Sequence, residues 1–431
     1  MAVLPPLGGP GVPTRDRESD AFDRGRTMLG VDPGNDAIDV VQLDDETMEL
    51  NMGPQHPSTH GVLRLVLQLD GEVVRECRPD IGFLHTGFEK SFESHTYQQC
   101  IPFTDRMDYL APLFNNLGFS LAAERLLGVE VPLRAQYLRV IMCELTRVAS
   151  HFLWYGTSAL DMGATTPFVY AWREREKLLD INELVSGVRM HTSFIRVGGL
   201  LADVPDEFYA LVNEVVRTFP SFIDQYELLI SENPIWLERT RGLGVLTPDD
   251  AMAYGATGPT LRGSGIAYDL RKAQPYSSYD HFDFDIPVGT RGDVYDRYLV
   301  RMREARESLK IIGQAMANLP DGPVNTTDRK VAMPPRNEIN TSMESLIHHF
   351  KLFTEGYSVP AGDVYVAVES GRGENGCYVV SDGTHKPRRV KFRSASFVNL
   401  QALERMALNH MVADMIAIIG TADTVLGDVD R

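Results

Sequence analysis

Between residues 104 and 318 apolar positions recur with a helical period, and proline and glycine mark where the runs begin and end. Pro132 heads a run in which Tyr137, Val140, Ile141, Leu145, Val148 and Phe152 share a face. Thr104 or Asp105 is placed to cap a helix ending at Gly128. Pro167 opens another, read as far as Gly198-Gly199, and Asp203 or Val204 with Pro205 starts a third that runs to about Ser231. A loop-rich stretch covers 232–291, and a long helix follows over 292–318. Its charged stripe (Arg297, Arg301, Glu304, Arg306, Glu307) reads as a solvated face. On either side of this body the period falls to two. Met48–Met52, Val62–Gln68 and Glu72–Arg78 read as strands, with Asp70-Gly71 as a hairpin turn between the last two. Val364–Glu369, Cys377–Ser381 and Arg388–Phe392 repeat the pattern with Asp382-Gly383. Ser342 with Ser345 starts a short helix through Phe353, and a final helix is read over Asn399–Ile419. Such punctuation implies an α+β protein, a large helical body with antiparallel sheet elements near both ends. It divides the chain into an acidic extension (1–45), a β-rich N-terminal domain (46–103), a helical core (104–330) and a C-terminal α+β part (331–431). The first 50 residues hold 11 acidic and 4 basic side chains with little periodicity, so 1–45 reads as mobile, with order beginning near Thr47.

Charge and cysteine content exclude several functions. Lys and Arg number 42 against 59 Asp and Glu, a net charge of −17, which is the wrong sign for a general nucleic-acid binder. A local basic run at 384–393 is the exception. No apolar run approaches the roughly 20 residues that cross a bilayer; the best, Met415–Ile419, is far shorter. The N-terminus lacks the basic-then-apolar pattern of a signal peptide. The chain is therefore expected to be cytosolic, with any membrane link made through a partner. Cys77, Cys100, Cys143 and Cys377 are too scattered for a zinc ribbon or an iron–sulfur run. They read as buried thiols, and the chain is expected to carry no metal or cluster of its own.

Several motifs could carry chemistry. Gly371-Arg372-Gly373-Glu374-Asn375-Gly376 matches a dinucleotide fingerprint in spacing, but strand-like Cys377-Tyr378-Val379-Val380 follows where a helix N-terminus is needed. It reads as a hairpin. His348-His349 point about 100° apart on a helix and so do not share a metal; one is expected buried and one exposed. Gly53-Pro54-Gln55-His56-Pro57-Ser58-Thr59-His60-Gly61 must form a stiff loop between strands. By residues alone it is either a substrate loop presenting two imidazoles or a turn with incidental histidines. Asp105-Arg106-Met107-Asp108-Tyr109 reads as a helix opening, where capping alone accounts for the acids. Asp161, among small and apolar residues between two helices, wants a partner. His191 is placed on the third helix near its glycine stop, where a structural role accounts for it.

Taken together, these segments and four others resemble one family. The others are Leu-His-Thr-Gly-Phe-Glu-Lys at 84–90, Leu-Arg-Gly-Ser-Gly at 261–265, Ser-Met-Glu-Ser-Leu-Ile-His-His-Phe-Lys at 342–351 and Glu-Gly-Tyr at 355–357. Over about 46–431 the chain resembles the 49-kDa, or D, subunit of respiratory complex I, the proton-pumping NADH:quinone oxidoreductase. That family is similar to the large subunit of nickel–iron hydrogenases, whose metal is held by two Cys-x-x-Cys pairs. The matching stretches here, Arg106–Ala111 and Asp423–Asp428, contain no cysteine. The resemblance implies an emptied metal pocket reused for the quinone head group. It implies His60 and Tyr109 as the pair bonding the quinone carbonyls, Asp161 as the acid that orients and charges His60, and His191 beside a partner's terminal iron–sulfur cluster. His56, Pro57, Ser58, Thr59, Thr157, Phe168 and Val425 are implied in the quinone loop and pocket. Iron–sulfur clusters and FMN would sit on partner subunits. Those partners would include the subunit with the terminal 4Fe-4S cluster, the 30-kDa-type subunit and the membrane subunit where quinone enters. The implied place is peripheral, on the cytoplasmic side of a bacterial inner membrane, with ubiquinone or menaquinone as substrate and no activity from the chain alone. Thr86 stands where mitochondrial relatives have Arg, which fits a bacterial subunit.

Overall fold

The computed structural model describes residues 38–42, 47–59 and 61–431. The rest of the acidic extension and His60 lie outside the described residues. The fold is α+β. Strands β1 (Ile38–Gln42), β2 (Thr47–Met52), β3 (Arg64–Asp70) and β4 (Val73–Asp80) form an antiparallel sheet in that order. Order thus begins before Thr47: β1 pairs with β2, Ile38 opposite Met52. The Asp70-Gly71 turn closes β3 onto β4, as its residues require.

The helical body follows. Its first members are α1 (Phe88–Phe92), α2 (Tyr97–Met107), α3 (Pro112–Leu127), α4 (Leu133–Asp161), α5 (Thr165–Ser186) and α6 (Asp206–Ile230). Four short helices, α7 (Pro234–Glu238), α8 (Pro248–Ala253), α9 (Gly258–Gly263) and α10 (Leu270–Ala273), break up the loop-rich stretch, and α11 (Val294–Ala317) closes the body. The proline starts hold at α4, which begins just after Pro132, and at α6, which Pro205 caps. Two boundaries differ. The cap of α2 is Thr96, whose side chain accepts from the Gln99 N–H while Gln99 reaches back to the Thr96 N–H. Thr104 and Asp105 therefore sit inside a helix that ends, rather than opens, at Met107. Helix α5 stops at Gly187 (φ 78°), well before Gly198, because the first residue able to take the left-handed turn ends it. His191 accordingly lies in a loop.

Beyond α12 (Arg336–Ile339) and α13 (Met343–Thr354), strands β7 (Gly362–Ser370), β8 (Gly373–Ser381) and β9 (Arg389–Arg393) make an antiparallel sheet; β5 (Ile195–Arg196) and β6 (Gly199–Leu200) are a short pair. The 371–376 fingerprint is the β7–β8 hairpin. The final helix read over Asn399–Ile419 is three pieces, α14 (Ala395–Gln401), α15 (Leu403–Ala407) and α16 (Val412–Ala422), the last set off by Asn409 at positive φ; Asp423, also at positive φ, separates α16 from α17 (Leu426–Asp430). His348 and His349 are both half-exposed, against the expectation of one buried.

Helix α4 is the spine. It packs on α5 and α11, and Leu138, Ile141, Leu145 and Phe152 share one core with Leu178, Val212, Phe219 and Leu309. The N-terminal sheet is packed on the C-terminal helices, where Leu65, Leu67 and Leu69 meet Leu403, Met406 and Ile418. Backbone bonds seal that contact, Val74 N–H to His410 O at 2.9 Å and Asn409 N–H to Val74 O at 2.9 Å. The charged stripe of α11 is corrected: Arg297, Arg301 and Glu304 are buried. Glu304 accepts from Arg262 Nε at 2.6 Å and lies 3.0 Å from His151 Nε2, and Arg301 stands over Trp154 at 4.2 Å. Their partners come from distant segments, so helical periodicity alone could not distinguish this face from a solvated one. The four cysteines are buried and unpaired.

Candidate functional site

Helix α2 ends where Asp108 folds back on its own backbone. Its Oδ1 accepts from the Leu110 N–H (3.2 Å) and the Ala111 N–H (3.1 Å), and Pro112 then opens α3. Tyr109 is left on the turn between the two helices, half-buried. Its ring lies against Gly427: a Cβ there would stand 3.0 Å from Tyr109 Cε1 and 2.6 Å from the Met107 carbonyl. The turn 106–111 and the loop 423–428 are thus in contact.

The C-terminal pieces gather the other segments. Helix α16 packs on α4, where Trp154 Nε1 donates to Gly420 O at 2.7 Å, and on the 3-10 turn Pro57–Thr59. That turn belongs to the stiff loop between β2 and β3. Gly53 (φ +88°) is obligatory there, since a Cβ would meet Leu63 O at 2.1 Å. Thr59 is buried and donates to the His56 carbonyl at 2.8 Å, while His56 Nδ1 accepts from the Ser58 N–H at 3.2 Å. Thr157 and Asp161 lie in the last turns of α4, Asp161 exposed at its final residue. Phe168 of α5 backs against Gly156, and its ring faces Trp172 at 4.9 Å. Val425, buried, caps α17. His191 is held by a bond between its Nδ1 and the Asp105 carbonyl at 3.1 Å. The 3-10 turn 57–59, Trp154 of α4 and Tyr109 therefore each contact the C-terminal pieces that carry Val425, while His191 touches Asp105 of α2.

Burial raises the Tyr109 phenol above its ordinary pKa, the nearby Asp108 charge adds to this, and Arg372 opposes. Tyr109 keeps its proton at neutral pH and is an O–H donor. Asp428 is raised to about 6, first by burial and then by Asp108; the Ser394 hydroxyl, which bonds its Oδ2, pulls the other way. The crevice at Tyr109, walled by Pro112, Thr146, Ala149 and Arg175, holds only about 10 Å³. That is about the room of one water molecule, too little for a ligand among the described residues. Larger clefts, about 810 Å³ beside Arg196, Leu200 and Tyr357 and about 520 Å³ beside Glu124 and Tyr276, lie elsewhere. No group of three or more His, Cys, Asp or Glu among the described residues is arranged to hold a metal ion.

The family model of the respiratory-chain NADH dehydrogenase 49 Kd subunit matches residues 161–431. The chain is 59% identical over 389 residues to a D-type NADH-quinone oxidoreductase subunit of Chloroflexus aurantiacus, covering 90% of this chain and 95% of that protein. It is 56% identical over 386 residues to the D-type NADH-quinone oxidoreductase subunit of Geotalea uraniireducens, covering 90% and 99%. The chain belongs to the 49-kDa subunit family of NADH-quinone oxidoreductase.

In this complex I subunit the stretches 106–111 and 423–428 meet. Asp108, Asp423 and Asp428 stand there with a buried arginine, Arg372. Sequence reasoning misses Arg372 because it lies inside a fingerprint that fails as a nucleotide site. The available signal is an arginine between two glycines at the tip of a hairpin. No helix of the described residues is long and apolar enough to cross a membrane.

Proposed function

We propose that this subunit supplies one wall of the quinone site of complex I and supports the two-electron, two-proton reduction of the head group. Tyr109 carries the reading, as a half-buried phenol held protonated on a rigid turn, with Val425 in the same C-terminal unit and the 57–59 turn packed on it. Quinone reduction puts negative charge on two opposite carbonyl oxygens. A phenol O–H at one end stabilises that charge and can release its proton to it. His60 is assigned to the other carbonyl, with Asp161 as the acid that raises the proton affinity of its imidazole. His56, Pro57, Ser58 and Thr59 would form the loop against the ring, with Thr157 and Phe168 assigned to the pocket beside it. His191 would stand near the terminal cluster of a partner, in reach of electrostatic coupling to it.

So small a crevice fits a site completed by neighbours. The subunit carrying the terminal 4Fe-4S cluster would supply the opposite wall, and a membrane subunit the route in. The 30-kDa-type subunit would be a further neighbour. The subunit itself would be peripheral, on the cytoplasmic side of a bacterial membrane, with clusters and FMN on its partners. Proton translocation would follow from the charge changes at this site.

Tyr109→Phe tests the reading. The complex should assemble and pass electrons from NADH to a water-soluble acceptor at the parent rate. Its turnover with short-chain quinones should drop by on the order of tenfold or more, since losing one such donor costs about 2–4 kcal/mol in a dry site. Unchanged quinone kinetics would count against it.

A further inference from the structure

A hairpin tip belongs on the surface, yet Arg372, at the tip between β7 and β8, is only 1% exposed. The turn is pinned inward. The Arg372 N–H donates to Ser370 Oγ (3.2 Å), its carbonyl accepts from Asn399 Nδ2 (3.0 Å), and Gly373 (φ +131°) lies so close to Thr257 that a Cβ would meet its hydroxyl at 2.5 Å. The guanidinium then joins the two segments that flank Tyr109. Nη1 donates to Asp108 Oδ2 at 2.8 Å, Nε donates to the Asp423 carbonyl at 2.9 Å, and Nη2 stands 3.5 Å from Asp423 Oδ1. Asp108 is the residue before Tyr109, and Asp423 begins the loop that carries Val425 and Gly427.

This cluster is poorly optimised for stability. Arg372 Nη2, Asp423 Oδ2, Thr424 Oγ1 and Asp428 Oδ1 are buried without a hydrogen-bond partner among the described residues. A buried ion pair costs desolvation that its attraction returns only when every polar atom is satisfied. Unsatisfied groups gathered at one point call for a role other than holding the fold. What the pairing does supply is geometry: a planar fork fixes both partners in direction as well as distance.

We propose that Arg372 is a positioning residue for quinone reduction, holding the Tyr109 turn to the 423–428 loop through Asp108 and Asp423 and so fixing the phenol's place. The inference rests on the quinone-site reading above. The test uses membranes containing the assembled complex, with Arg372→Lys, Arg372→Met, Tyr109→Phe and the double variant Arg372→Met/Tyr109→Phe. Complex content is normalised by NADH oxidation with a water-soluble acceptor. Arg372→Met should lower kcat/KM for a short-chain quinone by about tenfold or more. Arg372→Lys, which keeps the charge but reaches only one of the two segments, should fall between it and the parent, with KM raised. The double variant should be no worse than Arg372→Met, because a misplaced phenol has nothing left to lose. Parent-like kinetics in Arg372→Met, or losses that multiply in the double variant, would overturn the inference. If Arg372→Met fails to assemble, Arg372→Lys decides alone: a raised KM supports positioning, and an unchanged KM and kcat overturn it. Unchanged quinone kinetics in Tyr109→Phe would instead overturn the quinone-site reading and this inference with it. An impaired Tyr109→Phe beside unaffected Arg372 variants would remove only the positioning role.

Discussion

Gly427 shows how narrowly Tyr109 is placed. Any side chain there strikes the Met107 carbonyl and the edge of the phenol ring, and neither backbone nor ring can yield without moving the turn. Gly427→Ala is therefore expected to leave NADH oxidation with a soluble acceptor intact and to lower quinone turnover on the order of tenfold to a hundredfold, the scale of an ångström-sized misplacement. Steady-state assays with both acceptors check it. Asp428 yields a prediction in pH. Its folded pKa, about 6, lies above the ordinary 3.8 because it is buried beside Asp108. The folded state binds the proton more tightly, so what this group contributes is fully present below about pH 4 and is lost as pH rises through about 6. Asp428→Asn stays neutral throughout. Relative to the parent, the variant should be stabilised at pH 8 by roughly 1–3 kcal/mol and not at pH 4. Thermal unfolding at the two pH values measures this, and a pH-independent difference would show that the carboxyl does not titrate in that window.

At the scale of elements, α11 carries the clearest contrast between buried and exposed charge. Glu304 is fully buried against Arg262 and His151, whereas the side chain of Glu307, one turn on, is 21% exposed. Glu304→Ala leaves a guanidinium partly uncompensated in a dry core and should cost about 3–5 kcal/mol. Glu307→Ala should cost less than about 1 kcal/mol. Unfolding of the two variants by urea separates them, and equal small losses would restore the solvated reading of the stripe. Helix starts at Pro132 and Pro205, strands β2–β4 and β7–β9 and the Asp70-Gly71 turn were legible because each rests on local backbone chemistry, whereas Asp382-Gly383 falls in a longer loop, 382–388. The burial of Arg301 and Glu304 was not, because their partners (Arg262, His151, Asp423) come from segments that sequence spacing cannot bring together. The same limit hid Arg372, whose meaning depends on Asp108 and Asp423 arriving from either side.

At the scale of the whole molecule, the N-terminal sheet and the C-terminal helices close on one another. Among the described residues the N-terminal sheet shares its core with α15, α16 and their neighbours, and the loop that carries His56 leans on α16. The segments of the proposed site were readable from family motifs, since Tyr109, Val425 and residues 56–59 converge on that C-terminal unit; their binding of quinone is the proposal. Their assembly was not readable, because it depends on the breaks at Asn409 and Asp423 that set off α16 and α17 and turn α17 back against Tyr109. The central claim is that a quinone head group sits where these segments meet. A photoreactive short-chain quinone, irradiated in the assembled complex and followed by peptide mass spectrometry, tests it most directly. The account predicts inhibitor-protected adducts on peptides containing Tyr109, residues 56–59 or Val425. Protected labelling confined to partner subunits, with these three peptides unmodified, would contradict it.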